Sequence, residues 1–260
     1  MTLLGLFGPL LAPHSPEQQW RDTLLTEEGT PVGIGEVEGH LLGADTVGRD
    51  ELSRLLHGGS ISLRVAFIAT LIAVGMGLLV GITSGFFGGI IDSVSMRFVD
   101  LFLSIPFLLL AITIQSVVEN PSLSTLYFLL GFLSWTTLAR ITRAKTLQVR
   151  RLEYVQAAIA LGMRPERILL RHVLPNVLGP AIVIGTTLVA QMIIAESAMS
   201  YLGLGVQPPI ASWGSMLKEG QEMLRAAPQL MLLPASLIVI TVFGFNLMGE
   251  GLRDAFDPKD

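Results

Sequence analysis

The sequence predicts an all-α, polytopic membrane helical bundle, with five full spans and a partial first span at its N-terminus. Three observations predict it. Hydrophobic residues make up 51% of the 260 residues and charged residues only 15%, against about 25% charged in an ordinary soluble domain. Charge-free runs occupy 65–91, 101–118, 120–139, 172–195 and 226–249. Each reaches the length needed to cross a hydrocarbon core, about 17–25 residues, whereas a buried soluble helix rarely carries more than about 14 apolar residues in a row. Finally, Lys and Arg gather in one connection and acids in another, as the positive-inside rule requires.

Taken in order, residues 1–12 form an apolar stretch too short to span and interrupted by Pro9. It lacks the basic start and small-residue cleavage site of a secretory signal. It reads as the outer end of a first span whose beginning lies outside this sequence, or whose start codon was misassigned. Residues 13–60 follow as an external segment, rich in Pro, Gly and acids, with turn chemistry at Thr30-Pro31, Gly33 and Gly35. Its end, Thr46 to His57, has the pattern of a short surface helix, with Leu52, Leu55 and Leu56 on the lipid side and Arg49, Asp50 and Arg54 in water. An ordinary soluble helix packed on the spans is the alternative.

Residues 61–260 carry the full spans. Gly77, Gly81 and Gly85 recur every fourth residue and put three glycines on one helix face, where a second backbone can approach closely. Pro106 removes a backbone hydrogen bond from the third span and kinks it, a matter of shape more than of gating. Glu196 ends the fifth run near the outer boundary. A carboxylate at that depth faces the bundle interior or a water-filled path and has a partner. It either lines the route or ties the fifth span to the following loop, and the tie is the favoured reading.

Orientation follows from segment 140–172, which carries Arg140, Arg143, Lys145, Arg150, Arg151, Arg164, Arg167 and Arg171 against Glu153 and Glu166. This segment and the C-terminus are therefore expected in the cytoplasm and 13–60 outside. The loop is also patterned. Leu152, Val155, Ile159 and Gly162 recur at helical spacing, Ala157 and Ala158 are small, and Gly162 permits a sharp turn. Pro165 suits the first turn of a second short helix, with Glu166 at its start and Arg171-His172 at its end to complement the helix dipole. Two short helices at a right angle make a peg for another protein's socket.

Several chemistries are excluded. There are no cysteines, so disulfides and thiolate sites are absent. No phosphate-cradling G-x-x-x-x-G-K-[ST] loop and no H-E-x-x-H occurs, and the four histidines are scattered at 14, 40, 57 and 172. The net charge of −4 argues against a nucleic-acid partner. No catalytic, cofactor or metal residue is expected, and the chain is not read as an enzyme.

Glu153-Tyr154-Val155-Gln156-Ala157-Ala158-x3-Gly162 with Arg171-His172-Val173-Leu174-Pro175-Asn176 resembles the "EAA" loop of ABC importer permeases, in its peptide/nickel branch. Gln156 and His172 depart from the generic pattern, which has an acid and an isoleucine there. Leu42–Asp50, Ser197–Gly205 with Pro208-Pro209 and Ser212-Trp213-Gly214, and Phe245–Asp254 with Asp257-Pro258 also resemble segments of that branch, in order. The resemblance runs from about residue 41 to the end. It implies a type I importer permease fold in the inner (cytoplasmic) membrane, a sister permease, two cytoplasmic ATPases that bind ATP, and an external solute-binding protein. Glu153, Tyr154, Ala157, Ala158, Gly162, Arg164, Pro165 and Pro175 would form the ATPase-docking loop. Pro106 and Glu196 are the path or gating candidates. Peptides are the expected cargo, and nickel or another small solute is the alternative within the family. A stand-alone secondary transporter or channel is the alternative of another class, although it calls for midplane charges and related halves that the runs do not show.

Overall fold

The computed structural model describes residues 2–119 and 121–256, and its described residues contain helices and isolated bridges but no strand. The ends of the C-terminal signature, Asp257-Pro258, lie outside the described residues. In chain order the helices are α1 (Thr2–Leu11), α2 (Arg21–Leu24), α3 (Glu51–Phe87), α4 (Gly89–Ser104), α5 (Phe107–Val117), α6 (Leu123–Arg150), α7 (Glu153–Ala160) and α8 (Pro165–Ile168). A π-helical segment (Leu169–Val173) leads from α8 into α9 (Leu174–Tyr201), followed by α10 (Trp213–Glu222) and α11 (Gln229–Phe256).

Among the described residues, three helical stretches are long and apolar enough to cross a membrane: Glu51–Phe87, Pro165–Tyr201 and Gln229–Phe256. The bent pair α4–α5 makes four if counted as one span. Of the five expected full spans, three or four thus meet the length and composition of a crossing, and the other runs take a different form. Run 101–118 is broken rather than kinked: Ile105 is extended, as the residue before a proline prefers, and the axis turns by 85° between α4 and α5. The remaining 11-residue α5 reaches only about 16 Å at 1.5 Å per residue. Run 120–139 opens α6, whose last turns carry Arg140, Arg143, Lys145 and Arg150.

The chain divides into two compact units. The first comprises Met1–Phe67, Ile114–Tyr127 and Ala190–Gly244. The segment ahead of α3 folds on Leu24, Val32 and Ala44, which are buried beside Trp20 and Val37. Gly43 must be glycine there, since it has φ of +78° and a Cβ would collide with the Val32 carbonyl. A second cluster joins Leu55, Ala211, Trp213 and Met216, and the Trp213 indole donates to the Leu55 carbonyl at 3.0 Å.

The stretch Thr46–His57 is not a surface helix. From Glu51 it is the opening of α3, and Asp50 and Arg54 are buried, not in water. The Arg54 guanidinium is 1% exposed and pairs with Glu219 at 2.6 Å and Asp45 at 3.2 Å. A buried cation persists only where such partners neutralise it.

The second unit comprises Ile68–Thr113, Phe128–Val189 and Phe245–Asp260. Its glycine face works as the spacing predicts. A Cβ on Gly77 would stand 2.8 Å from that of Leu138, one on Gly81 would overlap Thr142, and one on Gly85 would lie 2.8 Å from the Arg143 carbonyl. The close approach lets Thr142 donate across to the Gly77 carbonyl at 2.9 Å. On the other side of α6, Arg143 grips Asp92 through two bonds of 2.5 Å, and Arg140 bonds Asp100 at 2.5 Å. Leu71 and Leu79 stay exposed, as side chains that face lipid should.

Candidate functional site

Segment 140–172 is less of a loop than its charges suggest. Its first part, through Arg150, is the end of α6, and only 151–164 stand apart from long helices. The α7 helix starts at Glu153, an acid in the first turn where the helix dipole favours it. It buries one face: Val155 at 0% and Ala158 at 6% exposure join Ile82, Phe86, Val149, Ile168, Val173 and Val177. Leu152 and Ile159, expected in that buried stripe, are exposed. In an eight-residue helix the contact line runs through positions three apart, 155 and 158, and the flanking residues fall outside it.

The turn after α7 is a Schellman motif. Met163 N–H donates to the Ala158 carbonyl at 3.1 Å and Gly162 N–H to the Ile159 carbonyl at 3.0 Å. Gly162 itself has φ of +74°, the left-handed conformation that an L side chain resists. A Cβ there would meet no neighbour within 4 Å, so the need for glycine comes from the backbone and not from crowding. Arg164 then precedes α8, with Pro165 in its first turn, where the missing N–H costs nothing.

The second helix does not end at Arg171-His172. The α8 helix passes through the π-helical segment into α9, so the expected dipole cap of Arg171-His172 has no helix end to act on. The physical reason lies at Pro175, which has no N–H for the preceding turn. The Leu174 N–H bonds the Leu169 carbonyl, five residues back, and this wider turn absorbs the proline. Asn176 then donates from its side chain to the His172 carbonyl at 2.7 Å.

That same amide also donates to the Tyr154 hydroxyl at 3.2 Å, and the Tyr154 and His172 rings lie 5.7 Å apart. So the two motif halves clasp each other, α7 through Tyr154 and the α8–α9 helix through His172 and Asn176. No local pattern in the sequence marks Asn176 for this task. Gln156, a departure from the acid of the generic pattern, donates to the Arg150 carbonyl at 2.6 Å and satisfies the end of α6. A carboxylate could not donate that bond.

Of the expected docking residues, Glu153, Tyr154, Ala157, Gly162, Arg164, Pro165 and Pro175 are all exposed. Ala158 is turned inward, so the close approach expected of both alanines is left to Ala157. An open basin of about 940 Å³ lies beside Gly162, lined by Met163, Arg164, Glu166, Arg167, Leu170 and Arg171. Arg164, Arg167 and Arg171 face one acid there, and Leu170 is 67% exposed, which gives the basin a basic rim around an apolar point.

Elsewhere, in the first unit, Glu196 is fully buried and accepts from Ser62 at 2.9 Å and Ser200 at 2.7 Å. Ser62 in turn accepts from the Trp213 N–H at 3.2 Å, and Ser200 from the Val206 N–H at 3.0 Å. Each carboxylate oxygen thus holds a hydroxyl that holds a backbone amide beyond α9. Pro106, in the second unit, lies at the 85° break itself. The histidines are less scattered than their numbering suggests, because His14 and His40 stack at 4.6 Å beside Asp50.

Residues 77–259 match the family of binding-protein-dependent transport system inner membrane components, and the chain belongs to that family. It is a multi-pass membrane permease component and not an enzyme. The oligopeptide transport system permease protein OppC of Escherichia coli (strain K12) is 43% identical over 260 residues, covering 100% of this chain and 85% of the relative. The dipeptide transport system permease protein DppC of Bacillus subtilis (strain 168) is 38% identical over 260 residues, covering 100% and 78%. Among solved structures, an inward-facing conformation of the MetNI methionine ABC transporter matches with a TM-score of 0.64 at 20% identity. That match covers 78% of this chain and 96% of the other, and it establishes the fold.

Proposed function

We propose that this chain is one permease subunit of an ATP-driven importer of di- or oligopeptides. It forms the translocation path with a sister permease, and an external solute-binding protein delivers the cargo. Two cytoplasmic ATPases dock on Glu153, Tyr154, Ala157, Gly162, Arg164, Pro165 and Pro175, and those ATPases bind the ATP. The chain crosses the inner membrane five times after a partial first span, with 13–60 outside and the C-terminus in the cytoplasm. The α4–α5 break at Pro106 then belongs to an interrupted span, and Glu196 acts as a tie.

One observation carries the docking role. The α7 peg is clasped at both ends, by the Tyr154–Asn176 bond and the Schellman turn at Gly162, yet presents an exposed face beside a basin with a basic rim. Such rigidity transmits motion, because a partner can bind two permease states with different affinity only if the contact moves with the permease. The names of relatives 38–43% identical favour peptides over nickel as cargo.

The test is reconstitution of this chain with its sister permease, ATPases and binding protein in vesicles, with uptake of labelled peptides. Peptide uptake that requires ATP and every subunit is expected. Uptake by this chain without an ATPase would overturn the reading, and uptake of nickel but not peptide would overturn the cargo.

A further inference from the structure

His14, His40 and Asp50 bring three ligand atoms within 4.8 Å of one another in the segment ahead of α3. The His40 Nδ1 lies 2.8 Å from Asp50 Oδ1, and the His14 Nδ1 lies 3.8 Å from Asp50 Oδ2. The second distance is too long for a hydrogen bond. The His14 Nδ1 is shielded from solvent and has no hydrogen-bond partner. A buried imidazole nitrogen left without a partner costs free energy, and two stacked imidazoles sharing one carboxylate do not repair it.

We propose that these three residues bind a divalent transition-metal ion of the zinc class. Two imidazoles and one carboxylate are a borderline donor set, suited to zinc and its neighbours and poorly matched to magnesium or calcium, which prefer all-oxygen shells. Ligands at about 2.0–2.2 Å around a tetrahedral ion stand about 3.3–3.6 Å apart. The His40–Asp50 spacing lies below that range and the His14–Asp50 spacing, to the other carboxylate oxygen, lies above it, and no ligand pair is more than 4.8 Å apart, so side-chain rotations bring the three atoms to one ion. A water completes the fourth position.

The surroundings support the ligands as a second shell should. The Ser53 N–H donates to Asp50 Oδ2 at 2.8 Å, and the Ser53 hydroxyl accepts from the His14 N–H at 3.1 Å, so one residue orients both a carboxylate and a histidine. Trp20 covers the pair, its ring 5.0 Å from each histidine ring. The ion would pin residue 14 to residues 40 and 50, staple-fashion, in a segment whose apolar core is only Leu24, Val32 and Ala44 with two partly buried neighbours. The inference stands on these residues alone and is independent of the cargo and of the ATPases.

The test uses the assembled transporter in detergent, stripped with a chelator and titrated with zinc sulfate by calorimetry and elemental analysis. Wild type is expected to retain one equivalent that the His14→Ala variant loses, with affinity falling at least about 100-fold. The His57→Ala variant, a histidine in α3 outside the cluster, keeps wild-type binding. Cobalt(II) in place of zinc gives a visible tetrahedral absorption band in wild type, absent in His14→Ala. His14→Gln repeats the test with a polar side chain, and a variant that still assembles but binds no zinc separates loss of the site from loss of the fold. Equal zinc retention in wild type and His14→Ala, or none in wild type, would overturn the site and leave a metal-free packing brace. Tighter binding of magnesium or calcium than of zinc would overturn the assigned class.

Discussion

The Asn176 side-chain amide bonds the Tyr154 hydroxyl at 3.2 Å, across 22 residues of chain, while also holding the His172 carbonyl at 2.7 Å. This one amide locks the first docking helix to the base of the long α8–α9 helix. Both residues are exposed, so the bond is open to water and worth about 0.5–1.5 kcal/mol. Asn176→Ala removes both bonds and should loosen α7 without unfolding the membrane core. Hydrogen exchange at residues 155–161 is expected to accelerate several-fold, with the rate in α3 unchanged. Unchanged protection in α7 would show that the clasp is incidental. Tyr154→Phe, which keeps the ring near His172, should give a smaller effect.

At Gly162 the requirement is conformational. With φ of +74° and open space around a would-be Cβ, Gly162→Leu costs about 1–2 kcal/mol of backbone strain and adds bulk at the exposed turn. The chain should still reach the membrane, while cargo-stimulated ATP hydrolysis and import fall together in reconstituted vesicles. Gly162→Asn, which tolerates the left-handed region, should recover much of both. Wild-type import by the Leu variant would remove this turn from energy coupling.

Glu196 accepts from two hydroxyls in a buried site. Glu196→Leu strands them at about 1–3 kcal/mol each, and lower abundance of the assembled complex is expected. Glu196→Gln keeps the shape and one accepting oxygen and should retain transport. A Gln variant of normal abundance with no import would mean that the charge itself serves the path.

Topology can be read from single cysteines, since the sequence contains none. Ser15→Cys, at an exposed position, should react with a membrane-impermeant maleimide in intact cells. Leu161→Cys, at a position 86% exposed at the tip of the docking turn, should react only in inverted vesicles. Reversed labelling would overturn the orientation and, with it, the docking role of 153–175.

The glycine face of α3 was legible because a four-residue spacing is a property of one helix, readable before its neighbour is known. The turn at Gly162 was legible for the same reason: a small residue, a glycine and a proline in sequence define a helix stop locally. Arg54 was misread because one of its two partners, Glu219, lies 165 residues away, and an acid nearby, such as Asp45, accompanies a solvated guanidinium as readily as a buried one. The 140–172 count of basic residues likewise treated Arg140 and Arg143 as free loop charges, whereas Asp100 and Asp92 neutralise them along α6.

By itself the sequence determined that this chain lives in a membrane, that its helices pack through glycines, and that it holds no phosphate-cradling loop. Those properties follow from uninterrupted apolar length, local spacing and residue type, all of which act over about one to six helical turns. Only the tertiary structure decided that Tyr154 meets Asn176, that Glu196 meets Ser62, and that His14 and His40 converge on Asp50. Each of these joins residues from separate segments. Their contact depends on how the chain closes its loops around a shared core, and no local periodicity encodes that closure.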